Sequence, residues 1–371
     1  MFFAITFIIF YTFYFVFVAK MHQSWQQIDT FDFDKKNTFT NKISIVVAFK
    51  NEEKNLPQLL QSIENQSVSK FLFEVIFIND HSSDKSVEII EKHISQSKLT
   101  IFLIQAVGIG KKQALSQAFA NSKNQIILCT DADCNVPTDW VKTWLHFFED
   151  SKIKLGFGLV AFKDEKTFFS SLNTIEFASL VGSGAATWAL GKPTMCNGAN
   201  LAYRKTTFNE VNGFDGINNQ PSGDDELLMH KIFASQPDAV RFLKSKSAIV
   251  FTEATQNLSS FYNQRLRWAS KWENYQLPHV QAIAFSIFAT NLILILFFIT
   301  LFFDFNFIKF ILFCVFQLTR MIIEYRFLHS ILYFLDKKLN LSAFLFLFII
   351  YPFYVVFFGL GGRFLSYKWK K

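Results

Sequence analysis

The sequence predicts an α/β domain on a mostly parallel sheet, joined to transmembrane helices. Three observations predict it. Runs that are apolar on both faces alternate with segments of helical period from residue 43 to residue 150. Polar clusters rich in Asn, Asp, Gly and Lys follow the apolar runs, always at the same end. Long uncharged stretches flank this region on both sides.

The elements follow in order. "ISIVVAF" (43–49) has the composition of a buried strand. "EEKNLPQLLQSIEN" (52–65) shows helical spacing, with Leu56, Leu59, Leu60 and Ile63 on one face. "FEVIFIN" (73–79) is the next strand and "DKSVEIIEKHI" (84–94) the next helix. "LTIFLIQ" (99–105) and "KQALSQAFAN" (112–121) repeat the pattern, as do "QIILCT" (125–130) and "PTDWVKTWLHFFED" (137–150). The last helix is expected to open with Pro137 in its first turn.

In such sheets ligands sit beyond the carboxyl ends of the strands. Four polar loops fall there: "KNEE" with Asn51 and Glu52, "NDHSSD" with Asp80, "VGIGKK" with Gly110 and Lys111, and "DAD". Their convergence marks a binding edge. Two carboxylates at i and i+2, Asp131 and Asp133, repel unless a cation or donors offset them. Hard divalent cations bridge such carboxylates to a substrate diphosphate. Asp80 suits a base edge, Gly110 allows close backbone approach, and Lys111 offsets phosphate charge.

Two constellations lie downstream. In "SGDDELLMHKIF" (222–233), Ser222 reads as an N-cap, with Asp224 and Asp225 in the first turn. A helix N-terminus attracts acids for its own dipole, so this pair has a structural reading too. In "NQRLRWASKW" (263–272), Gln264, Arg267 and Trp268 share one helical face. An amphipathic membrane-surface helix would look similar.

Hydrophobic residues make up 51% and charged residues 18%, an excess that sits in particular segments. Residues 1–19 are uncharged and read as a signal anchor, lacking the basic start and small-residue cleavage site of a cleaved leader. Residues 280–303 and 342–362 read as further spans. Between them, 307–322 reads as a span and 323–336, with Glu324 and Arg326, as interfacial. Lys20, Lys35 and Lys36 flank one end of the middle region, and Arg265, Arg267 and Lys271 the other. The positive-inside rule therefore predicts a cytoplasmic domain in a multi-pass protein of the cell membrane. The tail, 363–371, carries Arg363, Lys368, Lys370 and Lys371, and three C-terminal spans would put it on the opposite side.

The net charge of +7 suits an anionic membrane face, and the scatter of basic residues argues against nucleic acid. The four cysteines form no CxxC pair and the seven histidines no zinc spacing.

Taken together, "VVAFKNEE", "INDHSSD", "GKKQAL", "TDADC", "CNGANLAYRK", "NGFDG", "SGDDELL" and "QRLRW" form an ordered set. The chain resembles the membrane-bound inverting glycosyltransferases of family 2, which include cellulose, chitin, hyaluronan and poly-N-acetylglucosamine synthases and ceramide glucosyltransferase. The resemblance implies a GT-A type fold over 42–275 and a membrane region over 280–362. It implies that Asp80 binds the nucleotide base, that Asn51, Glu52, Gly110, Lys111 and Asp131 contribute to the donor site, and that Asp131 and Asp133 hold Mg2+ or Mn2+. Asp225, with Asp224 beside it, is implied as general base. Asn200, Gln264, Arg267 and Trp268 are implied around the acceptor and diphosphate. Asn79-Asp80-His81 stands where family members often have Asp-Asp-Gly, and the third acid pair is Asp-Asp rather than Glu-Asp. No FxVTxK motif is present.

The expected activity is transfer from a nucleotide sugar, a UDP-sugar by the resemblance, to a lipid-linked or glycan acceptor at the membrane. A processive polysaccharide synthase is the rival within the class. A nucleotide-binding transporter or scaffold is the rival from another class, and the scarcity of polar groups in the spans counts against it.

Overall fold

The computed structural model describes residues 2–33, 38–163, 167–218 and 222–366. Lys35, Lys36, Lys368, Lys370 and Lys371 lie outside the described residues. The chain begins with helix α1 (Phe2–Gln27). Then come β1 (Ile43–Phe49), α2 (Leu56–Glu64), β2 (Phe73–Asn79), α3 (Ser86–Gln96) and β3 (Ile101–Gln105). Next are α4 (Lys111–Asn121), β4 (Ile126–Cys129), α5 (Trp140–Phe147), β5 (Leu155–Gly158) and β6 (Val160–Phe162). The long helix α6 (Phe168–Ala189) precedes β7 (Leu201–Arg204), α7 (Lys205–Glu210), α8 (Glu226–Ser235), β8 (Val240–Leu243) and β9 (Val250–Thr252). Four helices close the chain: α9 (Leu258–Ala269), α10 (Pro278–Phe303), α11 (Phe307–Phe334) and α12 (Leu341–Phe364).

These elements form two compact units. One is Asp29–Lys163 with Met195–Glu253, and it holds the sheet. The other is Met1–Ile28, Asp164–Thr194 and Ala254–Lys371, and it is helical.

The sheet has the order β3-β2-β1-β4-β7-β5-β8. β1, β2, β3 and β4 run parallel, so their carboxyl ends share one edge. β7 runs antiparallel to β4 and β5, which makes the sheet mixed. β6 and β9 pair in a small second sheet. Every residue of β2 and β4 is buried, as expected for strands covered on both faces. Leu56, Leu59, Leu60 and Ile63 of α2 are buried, as their spacing predicted. Helix α5 starts at Trp140, so Pro137 precedes the helix rather than opening it.

Elements β5 to β9 and α6 were not legible as alternating strands and helices. β5, β6, β8 and β9 have only three or four residues each, too few for a period to show. Helix α6 is apolar on most sides, so it lacks a polar stripe.

In the helical unit, α1, α10 and α12 contain segments long and apolar enough to cross a membrane: Ile5–Gln27, Pro278–Phe303 and Leu341–Phe364. The first runs beyond residue 19, ending in a turn whose Met21, Ser24 and Trp25 are buried. Helix α11 is one continuous helix, Phe307–Phe334, with no break between 322 and 323. One ion pair lies within it: Arg320 Nε donates to Glu324 Oε1 at 2.7 Å, one helical turn away. Tyr14 of α1 donates to the same oxygen at 2.5 Å.

Candidate functional site

The sheet unit gathers the polar loops at the carboxyl edge of its parallel strands. Two of them turn through left-handed backbone, Asn51 at φ 56° and His81 at φ 61°. Asn and His tolerate that region better than most residues. The turns knit the β1 and β2 loops together. Ser83 N donates to Asn51 Oδ1 at 2.8 Å, and Asn51 N donates to Ser82 Oγ at 3.0 Å. Glu52 N donates to Ser86 Oγ at 2.8 Å, while Asn55 Nδ2 donates to Glu52 Oε2 at 2.7 Å. Asn51 and Glu52 therefore frame the edge through their own hydrogen bonds.

Asp80 follows β2 and is tied to β1 by its N–H, which donates to Phe49 O at 2.9 Å. Its Oδ1 accepts from Gly110 N at 3.0 Å. Gly110 precedes α4 at φ 102°, a conformation that side chains rarely adopt. The Asp80 carboxylate thus fixes the turn that delivers Lys111.

Lys111 Nζ lies 2.7 Å from Asp131 Oδ1 and 3.2 Å from Asp224 Oδ2. Burial pulls the ammonium towards neutrality, but Asp131 and Asp224 outweigh it and hold its pKa well above the ordinary lysine range. Asp131 starts a tight turn closed by Cys134 N donating to Asp131 O at 3.1 Å. Ala132 points inward, 4% exposed, so Asp131 and Asp133 are the partly exposed members of the turn. Cys134 Sγ donates weakly to Asp133 Oδ1 at 3.7 Å. Burial pushes both neighbouring thiols up, Cys129 to about 12 and Cys134 well above its usual value.

Asp225 does not sit in the first turn of α8. It caps the helix, its Oδ1 accepting from Glu226 N at 2.7 Å. Its Oδ2 accepts from Gly198 N at 2.9 Å, which joins "CNGAN" to "SGDDELL". Ser222 is not the cap. Its carbonyl accepts from buried Lys112 Nζ at 3.0 Å, and Ile217 O accepts from the same ammonium at 2.6 Å. The shift from Ser222 to Asp225 has a physical reason: Gly223 lies at φ 84°, outside helical backbone, so the helix starts beyond it and Asp225 takes the cap.

Asn200 corrects a further expectation. It is 0% exposed. Its Oδ1 accepts from Trp140 Nε1 at 2.9 Å and Trp144 Nε1 at 3.1 Å. Its Nδ2 donates to Leu159 O at 2.8 Å and Ala248 O at 2.7 Å. Four partners exhaust the amide, so no atom is left for an acceptor or a diphosphate. Gly158 leaves the room for it, since a Cβ there would lie 2.4 Å from Asn200 Nδ2. The buried asparagine fixes α5 and the strands beneath the site.

Gln264, Arg267 and Trp268 lie on α9 in the helical unit, all three partly exposed. Among the described residues, no three His, Cys, Asp or Glu side chains gather as a metal cage. The donor set at Asp131 and Asp133 is nonetheless hard oxygen, and the neighbouring Lys111 shows that positive charge is stabilised there. That set suits a cation completed by diphosphate oxygens and water, as Mg2+ prefers.

The model of the family described as glycosyl transferase family 2 matches residues 44–211. Residues 44–211 form a family 2 glycosyl transferase domain. The match covers β1 to β7, and so Asp80, Gly110, Lys111, Asp131 and Asp133. The chain is 27% identical over 237 residues to "Probable glycosyltransferase YdaM" of Bacillus subtilis (strain 168), covering 62% of this chain and 54% of that protein. It is 25% identical over 232 residues to "Poly-beta-1,6-N-acetyl-D-glucosamine synthase" of Staphylococcus aureus (strain COL), covering 61% and 53%. The match thus spans about half the length of these curated relatives. Among solved structures, "Mannosyltransferase PcManGT from Pyrobaculum calidifontis in complex with GDP-Man and Mn2+" aligns at a TM-score of 0.62 and 15% identity, covering 91% of this chain and 99% of that one. At that identity the likeness shows the fold, a GT-A type sheet with accompanying helices. The family 2 domain ends before Asp224 and Asp225, which reach its carboxylate cluster through Lys111 and Gly198.

Proposed function

We propose that the protein is a membrane-bound inverting glycosyltransferase that moves a sugar from a nucleotide-sugar donor, a UDP-sugar, to a lipid-linked acceptor. The observation that carries the reading is the Lys111 ammonium shared by Asp131 and Asp224, next to Asp225 and on the edge that Asp80 and Gly110 define. A nucleoside diphosphate needs that combination of a base-binding acid, positive charge and oxygen donors.

Asp80 and the Gly110 turn receive the base. Asp131 and Asp133 would hold Mg2+ or Mn2+ against the diphosphate, and Lys111 adds positive charge beside it. The bound ion supplies charge neutralisation for the departing diphosphate. Asp225 accepts the proton of the acceptor hydroxyl as that oxygen bonds to the anomeric carbon. The bond from the anomeric carbon to the diphosphate oxygen breaks, and the electron pair leaves with the nucleoside diphosphate. A single displacement inverts the centre. The two backbone N–H groups on Asp225 hold its carboxylate in one orientation. Gln264, Arg267 and Trp268 take part in transfer, and the apolar helices α1, α10 and α12 carry the chain as a multi-pass protein with its sheet unit cytoplasmic.

A processive polysaccharide synthase is the second reading, and the likeness to a protein named poly-beta-1,6-N-acetyl-D-glucosamine synthase favours it. One experiment tests both. The purified chain in its native lipid extract is offered labelled nucleotide sugars, and products are read by mass spectrometry. A single lipid-soluble product supports the first reading and a polymer ladder the second. Binding of nucleotide sugar with no turnover would overturn both.

A further inference from the structure

We infer that Arg265, buried inside the "QRLRW" stretch, is a positioning residue that orients Gln264 and Trp268 and is itself fixed by Glu176. The inference rests on the proposed role of the Gln264, Arg267 and Trp268 set in transfer. The sequence alone suggested only that Arg265 was a membrane-proximal basic residue.

Arg265 is 2% exposed and Glu176 5%. The guanidinium grips the Glu176 carboxylate with two donors, Nε at 2.9 Å and Nη2. The remaining nitrogen, Nη1, donates to Gln264 Oε1. The guanidinium Cζ lies 4.3 Å from the Trp268 ring centroid and 4.4 Å from that of Phe261. One side chain thus contacts two of the three motif residues, one by hydrogen bond and one by stacking.

The anchor is held from two further helices. Glu176 belongs to α6, and its Oε1 also accepts from Tyr354 of α12 at 2.8 Å. The chain entering α9 is tied to α6 again, where Thr255 Oγ1 donates to Asn173 Oδ1 at 2.9 Å. Helix α12 approaches α9 over two glycines: a Cβ on Gly361 would lie 3.0 Å from Leu266 Cδ2, and one on Gly362 2.8 Å from the Ala269 carbonyl carbon. Helix α9 is therefore fixed in place by α6 and α12 around one ion pair.

Stability alone does not account for that pair. Burying two charges is expensive, and well-packed apolar residues often hold helices equally well. A forked arginine gives directional control that apolar packing lacks. Gln264 and Trp268 are related as i and i+4, and Arg265 fixes their side-chain directions relative to each other.

The test uses the full chain in native lipid, with Arg265→Lys and Glu176→Gln as variants. Arg265→Lys keeps the charge but loses the fork. The expected result is a fall of ~10- to 100-fold in kcat for each, with donor KM unchanged. Chains carrying 5-fluorotryptophan add a readout that a merely structural role would not move. The 19F resonance absent from Trp268→Phe is that of Trp268, and it should shift in both variants. Wild-type kcat with an unmoved Trp268 resonance overturns the inference. If single variants fail to fold, the pair Glu176→Met/Arg265→Met restores apolar packing. A folded double variant with reduced kcat supports the inference, and one with full kcat overturns it. Gln264→Ala and Trp268→Ala are the controls for the underlying reading: wild-type transfer in these removes the motif from transfer, and the inference falls with it, whereas their inactivity beside a fully active Arg265→Lys refutes the inference alone.

Discussion

Lys111 and Asp131 are joined at 2.7 Å across two successive loops of the sheet edge, and Asp224 shares the same ammonium at 3.2 Å. Three chain segments far apart in sequence therefore depend on one cation. Lys111→Met should leave Asp131 and Asp224 facing each other without it, and kcat/KM should fall about 10²- to 10³-fold, the usual cost of one lost charge-stabilising donor. The ammonium's pKa is raised, so its stabilising effect is complete below the ordinary lysine range and lost only as pH climbs through the higher folded value. Between about pH 6 and 9, then, any alkaline loss of rate belongs to another group. A pH–rate profile whose alkaline limb disappears in Lys111→Met would contradict this.

Asp131 and Asp133 bear on metal dependence. Chelation should abolish transfer, and Mn2+ or Mg2+ should restore it, because the two carboxylates provide too few ligands to retain the ion without diphosphate and water. Asp133→Asn should raise the metal concentration for half-maximal rate by more than about tenfold, as loss of one carboxylate ligand weakens a hard-cation site. Full activity in excess chelator would remove the ion from the reaction.

Cys129 and Cys134 flank the carboxylate turn as buried, neutral thiols. With Cys129 pushed to about 12 and Cys134 raised well above its usual value, almost no thiolate exists at neutral pH. N-ethylmaleimide should leave both unmodified in the folded chain and label both after unfolding, as peptide mass spectrometry would read. Rapid labelling of Cys134 with loss of activity would show that the turn is more open than the 2% exposure of Cys134 implies.

The sheet edge was legible because parallel strands announce themselves: β1, β2 and β4 are apolar on both faces, and each polar loop follows at the carboxyl end. Asp80, Gly110, Lys111 and Asp131 are brought together as that rule implied. Asn200 was misassigned because its position in a motif says nothing about which way the amide faces. Two tryptophans one helical turn apart, Trp140 and Trp144, were the available signal, since buried indoles need acceptors. Ser222 was misassigned because the sequence does not show that Gly223 turns through left-handed backbone at φ 84°, which delays the helix to Glu226. Helix α6 was missed because a helix apolar on most sides shows no period, and Glu176 inside it gave no hint that its partner was Arg265.

Asn200 and Gly158 are coupled through space that only a glycine leaves. Asn200→Ala would strand two indole N–H groups and two carbonyls, at about 1–3 kcal/mol for each group left unpartnered. The thermal midpoint should drop by roughly 6 °C or more. Gly158→Ala should reproduce much of that loss, its Cβ falling 2.4 Å from Asn200 Nδ2. Both variants should lose stability in proportion to activity, as read by calorimetry beside initial rates. An inactive Asn200→Ala with an unchanged midpoint would return Asn200 to the ligand site.

Asp225 offers the sharpest separation of chemistry from binding. Its carboxylate accepts from Gly198 N and Glu226 N, so two backbone groups hold its orientation. Asp225→Asn keeps the shape but puts an amide NH2 against one of those N–H groups and removes the proton acceptor. Transfer should fall by about 10²- to 10⁴-fold, the range for loss of a general base. Nucleotide binding should persist, because Asp80, Gly110 and Lys111 are untouched. Equilibrium titration with the nucleoside diphosphate and initial-rate transfer, run on the same preparation, separate the two effects. Transfer at the wild-type rate in Asp225→Asn would assign the base elsewhere, with Asp224 the next residue to test, since it already shares Lys111.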